Sequence, residues 1–154
     1  MSTKPDLLTP ENSQIIFIDH QPQMAFGVQS IDRQTLKNNT VLLAKAAKLF
    51  NIPTTITTVE TDSFSGKTYP ELLGVFPDNP LLERTSMNSW DDQKVRDALA
   101  KNGRKKIIVS GLWTGICNNM FAFSAMEDAG YEIYMVADAS GDTSQAAHDN
   151  SMAR

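Results

Sequence analysis

Val109-Ser110-Gly111-Leu112-Trp113-Thr114-Gly115-Ile116-Cys117 is the stretch on which the reading of this chain turns. Lys106 to Ser110, with Ile107-Ile108-Val109 at its centre, is an apolar run suited to a strand entering the core, and Gly111 closes it. Thr114 to Gly130 then reads as a helix with Gly130 as its C-terminal stop. A strand that passes through a short loop into a helix puts Cys117 in the helix's first turn, where free N–H groups and the positive dipole end favour thiolate over thiol. The loop carries glycine at 111 and 115, a geometry that can aim several backbone N–H groups at a single oxyanion. A free cysteine is also commonly a buried structural residue, and Cys117 taken alone does not identify an enzyme.

Working outward, Gln14-Ile15-Ile16-Phe17-Ile18-Asp19 is a continuous apolar run ending in a carboxylate, as expected of a strand covered on both faces. From Asp32 to about Phe50, Leu36, Leu43, Ala47 and Phe50 recur at helical spacing, and Asn51-Ile52-Pro53 stops the helix. Thr54 to Val59 is rich in β-branched residues and follows as a strand. Glu60 to Pro80 shows no sustained period and reads as loop, with a turn of helix at Pro70 to Val75. Leu81 to Thr85 is a short strand. Ser89-Trp90-Asp91-Asp92 supplies caps for a helix through Leu99, stopped at Asn102-Gly103. Tyr131 to Ala137 is a fifth strand, and Asp142 to Arg154 looks like the start of a further helix. Strands alternating with helices predict one α/β domain over residues 1–154, a parallel sheet with helices on both faces and right-handed crossovers. Such sheets bind ligands outside the carboxyl ends of their strands. Asp19, Arg84 and Cys117 converge on that edge.

The 154 residues are 41% hydrophobic and 21% charged, enough apolar material for one core. Fourteen Lys and Arg against eighteen Asp and Glu give a net charge of -4 with no basic block, which argues against a nucleic-acid partner. No apolar run approaches a membrane span, and Met1 to Ser13 is too polar for a secretory signal, so a cytoplasmic protein is expected. One cysteine excludes an internal disulfide and a multi-cysteine zinc site.

Each candidate also has a plainer reading. Asp19 ends an apolar strand, where a charge is costly to bury unless paired or used, but it equally suits a solvated loop cap. His20 should point to the opposite side by strand alternation. His148 is expected on the surface, and Arg84 suits a solvated charge. Trp90, Trp113, Phe26 and Phe123 suit the core as well as a substrate cage. Met120, Phe121, Ala122, Phe123, Ala125 and Met126 surround most of the last long helix, which predicts burial on more than one face, the excess packing against a second chain.

The run Ile16-Phe17-Ile18-Asp19-His20-Gln21, the arginine of Arg84-Thr85-Ser86-Met87-Asn88-Ser89-Trp90-Asp91 and the segment from Val109 to Cys117 resemble, in order and spacing, the isochorismatase-like cysteine hydrolases, and among them the YcaC-like subgroup. Val136-Ala137-Asp138-Ala139-Ser140-Gly141 extends the resemblance towards the C-terminus. It implies a three-layer α/β/α fold around a mostly parallel, Rossmann-like sheet, in a chain that is C-terminally short because family domains continue into another strand-helix unit. It further implies an amidase-type hydrolase that cleaves a small amide or other C–N bond through a cysteine thioester. The implied catalytic triad is Asp19, Arg84 and Cys117, with an oxyanion hole from the N–H groups of Trp113 and Cys117 and a non-proline cis peptide at Leu112-Trp113. Phe26, Asn88, Trp113 and Ile116 are the expected substrate contacts. Amidases of the family mostly have lysine where Arg84 stands, and arginine cannot shuttle a proton. Glu60 to Pro80 holds no histidine, so no nicotinamidase-type metal is expected, and no cofactor. The implied partners are a small-molecule substrate and copies of the chain, in a ring-like octamer. The alternatives are a non-catalytic oligomeric member and a redox-responsive thiol protein.

Overall fold

The structure, a computed structural model, describes residues 6–154; the first five residues of the polar N-terminal stretch lie outside it. Five strands, β1 (Ser13–Ile18), β2 (Thr54–Val59), β3 (Leu81–Arg84), β4 (Lys106–Gly111) and β5 (Glu132–Met135), form one parallel sheet in the order β3-β2-β1-β4-β5. The helices between them are α1 (Pro22–Phe26), α2 (Arg33–Leu49), α3 (Pro70–Val75), α4 (Gln93–Ala100), α5 (Asn119–Ala129) and α6 (Gln145–Met152). Because every strand runs the same way, all their carboxyl ends, and the loops that follow, lie along one edge.

The central strand β1 is buried along its whole length, which is why it reads as an unbroken apolar run. Its alternation splits the core in two. Ile16 and Ile18 join Ile107, Val109, Val95, Leu99, Phe121 and Ala125 under α4 and α5, whereas Ile15 and Phe17 join Ile56, Ile108, Ala44, Ala47 and Leu72 under α2 and α3. The result is three layers, helices over both faces of the sheet.

Local chemistry accounts for the boundaries. Asp32 caps α2, its carboxylate accepting from Thr35 N–H at 2.8 Å, and Gly130 ends α5 in the left-handed region at φ +63°. The helix expected from Ser89 is in fact two pieces. Asn88 caps a 3₁₀ turn at Ser89–Asp91 through Trp90 N–H, and Asp92 caps α4 anew through Lys94 N–H, so the second cap breaks what composition made continuous. The helix expected from Thr114 likewise opens as a π-helical turn, Thr114–Asn118, before α5 begins. The fifth strand is shorter than expected, and Ala137–Ala139 turns as a 3₁₀ helix.

Within a single copy, α5 buries one face. Phe121 and Ala125 face the sheet, and Met120, Phe123 and Met126 stand about half exposed on the other side. Gly111 sits where β4 leaves the sheet beside β1; a Cβ there would lie 2.7 Å from the Ile18 carbonyl oxygen.

Candidate active site

Three strand ends build the site. Asp19 follows β1, Arg84 ends β3, and Cys117 lies in the π-helical turn after β4. Arg84 Nη2 donates to Asp19 Oδ2 at 2.5 Å, and the Cys117 thiol lies near enough to the same carboxylate for each to shift the other's titration. All three are sealed: Asp19 is 0%, Cys117 1% and Arg84 2% exposed. Neither the solvated cap nor the solvated cation remains tenable.

Asp19 is turned into this position by its backbone. Alternation along β1 would send it towards the α2 side with Phe17, but its φ is +55°, and the left-handed turn brings the carboxylate back to the side of Ile18 and Cys117. For a residue with a Cβ that conformation costs about 1–2 kcal/mol. His20 consequently goes the other way, packing its ring near Phe17 and Tyr69. Its Nε2 meets Ser110 Oγ at 3.0 Å, and because that hydroxyl gives its one proton to Ala139 O at 2.6 Å, the imidazole must be the donor. Burial pushes His20 down to about 4, so the ring is neutral at physiological pH.

The electrostatics differ from the sequence expectation in one respect. Burial pushes the Cys117 thiol up to about 12, assisted by the neighbouring Asp19 charge and hydrogen bond; Trp113 N–H and Arg84 pull the other way and lose. A resting thiolate favoured by the helix start is therefore corrected to a resting thiol. Burial also raises Asp19 above the usual carboxylate range, against the opposing pull of Arg84. Arg84 is held in turn by the Ser86 and Met87 carbonyls, through Nη1. The arrangement is a buried carboxyl group beside a protonated thiol, with a fixed cation behind the carboxyl.

The peptide Leu112-Trp113 is cis. The Trp113 N–H favours the ionised form of the Cys117 sulfur, and the indole N–H donates to Met24 O at 2.8 Å, placing the ring against Gly27. The other expected substrate contacts fare unevenly. Ile116, next to Cys117, is part exposed. Phe26 is 72% exposed on α1 with the Arg33 guanidinium 5.1 Å from its ring centre, so it lies outside the buried cluster. Asn88 is buried and occupied as a cap, with its amide nitrogen on Ser124 and Asp91. Its side chain holds the loop after Arg84 to α5 and does not offer itself to a ligand.

His148 overturns the surface expectation. It is 8% exposed, and its Nδ1 shares a 2.8 Å hydrogen bond with Thr114 Oγ1 in the turn that carries Cys117. Asp142, which the sequence reading passed over, accepts from Gly115 N–H at 2.7 Å. The available signal was spacing: Ser144, His148 and Ser151 recur at four and three, a polar helix face that hydrophobic periodicity assigns to solvent. Among the described residues, no three His, Cys, Asp or Glu side chains gather where they could hold a metal, and no helix is long and apolar enough to cross a membrane.

Residues 13–154 match the model of the isochorismatase domain. The probable hydrolase YcaC of Escherichia coli (strain K12) is 36% identical over 141 residues, which are 90% of this chain and 67% of that protein. The crystal structure of the E. coli YcaC gene product, an octameric hydrolase of unknown specificity, superposes with a TM-score of 0.92 at 33% identity, covering 97% of this chain and 74% of that one. YcaC from Pseudomonas aeruginosa, with hexane-2,5-diol and covalent acrylamide, superposes at 0.93 with 32% identity, covering 99% and 75%.

Proposed function

The chain belongs to the isochorismatase family, and on that premise we propose that this YcaC-like hydrolase cleaves a small amide or other C–N bond through a thioester on Cys117. The observation that carries the reading is the sealed contact sequence Arg84, Asp19, Cys117. The carboxylate takes the Sγ proton as sulfur attacks the amide carbonyl, so the thiol need not be ionised at rest. The N–H groups of Trp113 and Cys117 are the donors for the developing oxyanion. The C–N bond then breaks as Asp19 returns the proton to the leaving nitrogen. Water, deprotonated by Asp19, hydrolyses the thioester and restores the thiol. Arg84 stays charged throughout and keeps Asp19 ionisable despite its burial. The covalent acrylamide on the P. aeruginosa relative is consistent with a reactive nucleophile in this subgroup. A redox-sensing thiol is disfavoured, because such a group needs a low pKa, and burial pushes that of Cys117 up.

Intact-mass measurement during incubation with a panel of small amides should show an acyl adduct on wild type and none on Cys117→Ala. Turnover of a panel member by Cys117→Ala at the wild-type rate would overturn the thioester mechanism. We further propose that the chain assembles with its own copies through the apolar face of α5, where Met120, Phe123 and Met126 stand exposed. The octameric state of the E. coli relative supports this. Light scattering at micromolar concentration should report an oligomer, and a stable monomer would remove the proposal.

A further inference from the structure

The turn that carries Cys117 is not self-supporting. A π-helical turn is rare and frequent at functional sites, and here Asn118 N–H reaches back to Trp113 O at 3.3 Å. Besides α5 and the end of β4, part of what holds it comes from the segment after β5. Gly141 O accepts from Thr114 N–H at 3.0 Å, and Asp142 Oδ2 accepts from Gly115 N–H at 2.7 Å. His148 Nδ1 on α6 meets Thr114 Oγ1 at 2.8 Å, and Thr114 is fully buried. The packing closes because residue 115 has no side chain: a Cβ there would stand 2.8 Å from Ser151 Oγ and 3.1 Å from Asp142 Oδ2.

Asp142 is itself immobilised. Its Oδ1 accepts from Thr143 N–H at 2.7 Å, its own N–H donates to Ser30 Oγ at 2.9 Å, and its carbonyl oxygen accepts from the N–H groups of Gln29 and Ser30. Neither Asp142 nor His148 is hydrogen-bonded to Asp19 or Arg84. What the two side chains fix is which groups of the nucleophile turn remain free. The Gly115 N–H is taken by a charged acceptor, and the Trp113 N–H is left to favour the ionised form of the Cys117 sulfur.

We propose that Asp142 and His148 are positioning residues, holding the 114–118 turn so that the Cys117 thiol stays in register with Asp19. This rests on the reading of Cys117 as a nucleophile served by Asp19. The two fail separately in an assay that needs no substrate: the rate of Cys117 alkylation by acrylamide, followed by intact mass from pH 6.5 to 8. In that reaction sulfur bonds to the terminal alkene carbon, and the thiol proton passes through Asp19 to the carbon beside the carbonyl. With a positioned base the wild-type rate stays level to within about threefold across the range. A thiol that has lost its base follows its thiolate fraction and climbs about tenfold per pH unit. Asp142→Ala and His148→Leu should show the climbing profile and a rate at pH 7 lowered by about tenfold or more. Asp142→Asn keeps an acceptor for Gly115 N–H, and His148→Asn sets an amide where Nδ1 stood; both should restore the level profile.

A level profile at the wild-type rate in Asp142→Ala and His148→Leu would overturn the positioning role and leave the nucleophile reading intact. A climbing profile in wild type would overturn both. Melting temperatures recorded alongside identify a variant that fails to fold, in which case the other position's pair decides. Folded variants that recover neither profile nor rate with Asn would likewise sink the proposal.

Discussion

The two edges of the sheet bury polar side chains in different ways. At the amino edge the buried polar side chains of the described residues are matched. Gln14, buried at the start of β1, gives its amide protons to Leu99 O and Arg104 O and accepts from Asn102, and Lys106 pairs with Asp6 and Glu132. At the carboxyl edge the matching is incomplete. Asp19 Oδ1, His20 Nδ1, Ser65 Oγ, Thr68 Oγ1, Arg84 Nε, Ser89 Oγ and Asn118 Oδ1 are buried without a nitrogen or oxygen partner, and every one of them ends a strand or follows it. Leaving such an atom unpaired costs about 1–3 kcal/mol, so the concentration on one edge is informative. The amino edge holds the molecule together. The carboxyl edge carries the buried side chains of the candidate site, Asp19, Arg84 and Cys117.

The strongest way to break that contrast is Asp19→Asn. An amide cannot take the thiol proton, so turnover should fall by about 10²–10⁴, and the unpaired Arg84 charge should lower the melting temperature as well. Normal turnover would reduce Asp19 to a counter-ion for Arg84. A smaller effect, in the opposite currency, is expected at the other edge. Gln14→Ala strands the Leu99 and Arg104 carbonyls and should lower the unfolding free energy in urea by about 1–3 kcal/mol with the Cys117 alkylation rate unchanged. A shift in that rate would show that the edges are coupled. The smallest effect is in the pH dependence of stability. The folded thiol stays protonated up to about 12, whereas in the unfolded chain it ionises near 8.5. Between those values the native state binds the extra proton, so stability declines as pH rises. Wild type should lose roughly 1–2 kcal/mol relative to Cys117→Ala between pH 8.5 and 10. Parallel curves would mean that the thiol is not desolvated.

Sequence periodicity reached the layers and the strand order's raw material, because β1 and β4 are buried on both faces and β2 is dense in β-branched residues. It also reached Asp19, Arg84 and Cys117, which chain order alone sends to one edge. It did not reach what depends on three-dimensional competition. Asp92 breaks a helix that composition supports, because a carboxylate two residues before Lys94 makes a better cap than a continuation. A helix start favours an acidic thiol, yet at Cys117 desolvation at 1% exposure outweighs a partial charge. His148 was assigned to solvent because nothing local reveals that Thr114, 34 positions earlier, would be its partner.

Gly111 carries a consequence for how this scaffold can change. Replacing it brings a methyl against the backbone of Ile18, so the exits of β1 and β4 are committed ground, and Cys117 and Asp19 inherit that rigidity. Freedom lies elsewhere on the same edge. The loops after β2 and β3 carry Phe64 and Met87 well exposed at their surfaces, and substitutions there leave the spacing of the central strands alone. Diversification of what such a protein accepts, by drift or by design, is therefore cheapest on the β2 and β3 side, with the chemistry held constant at the centre.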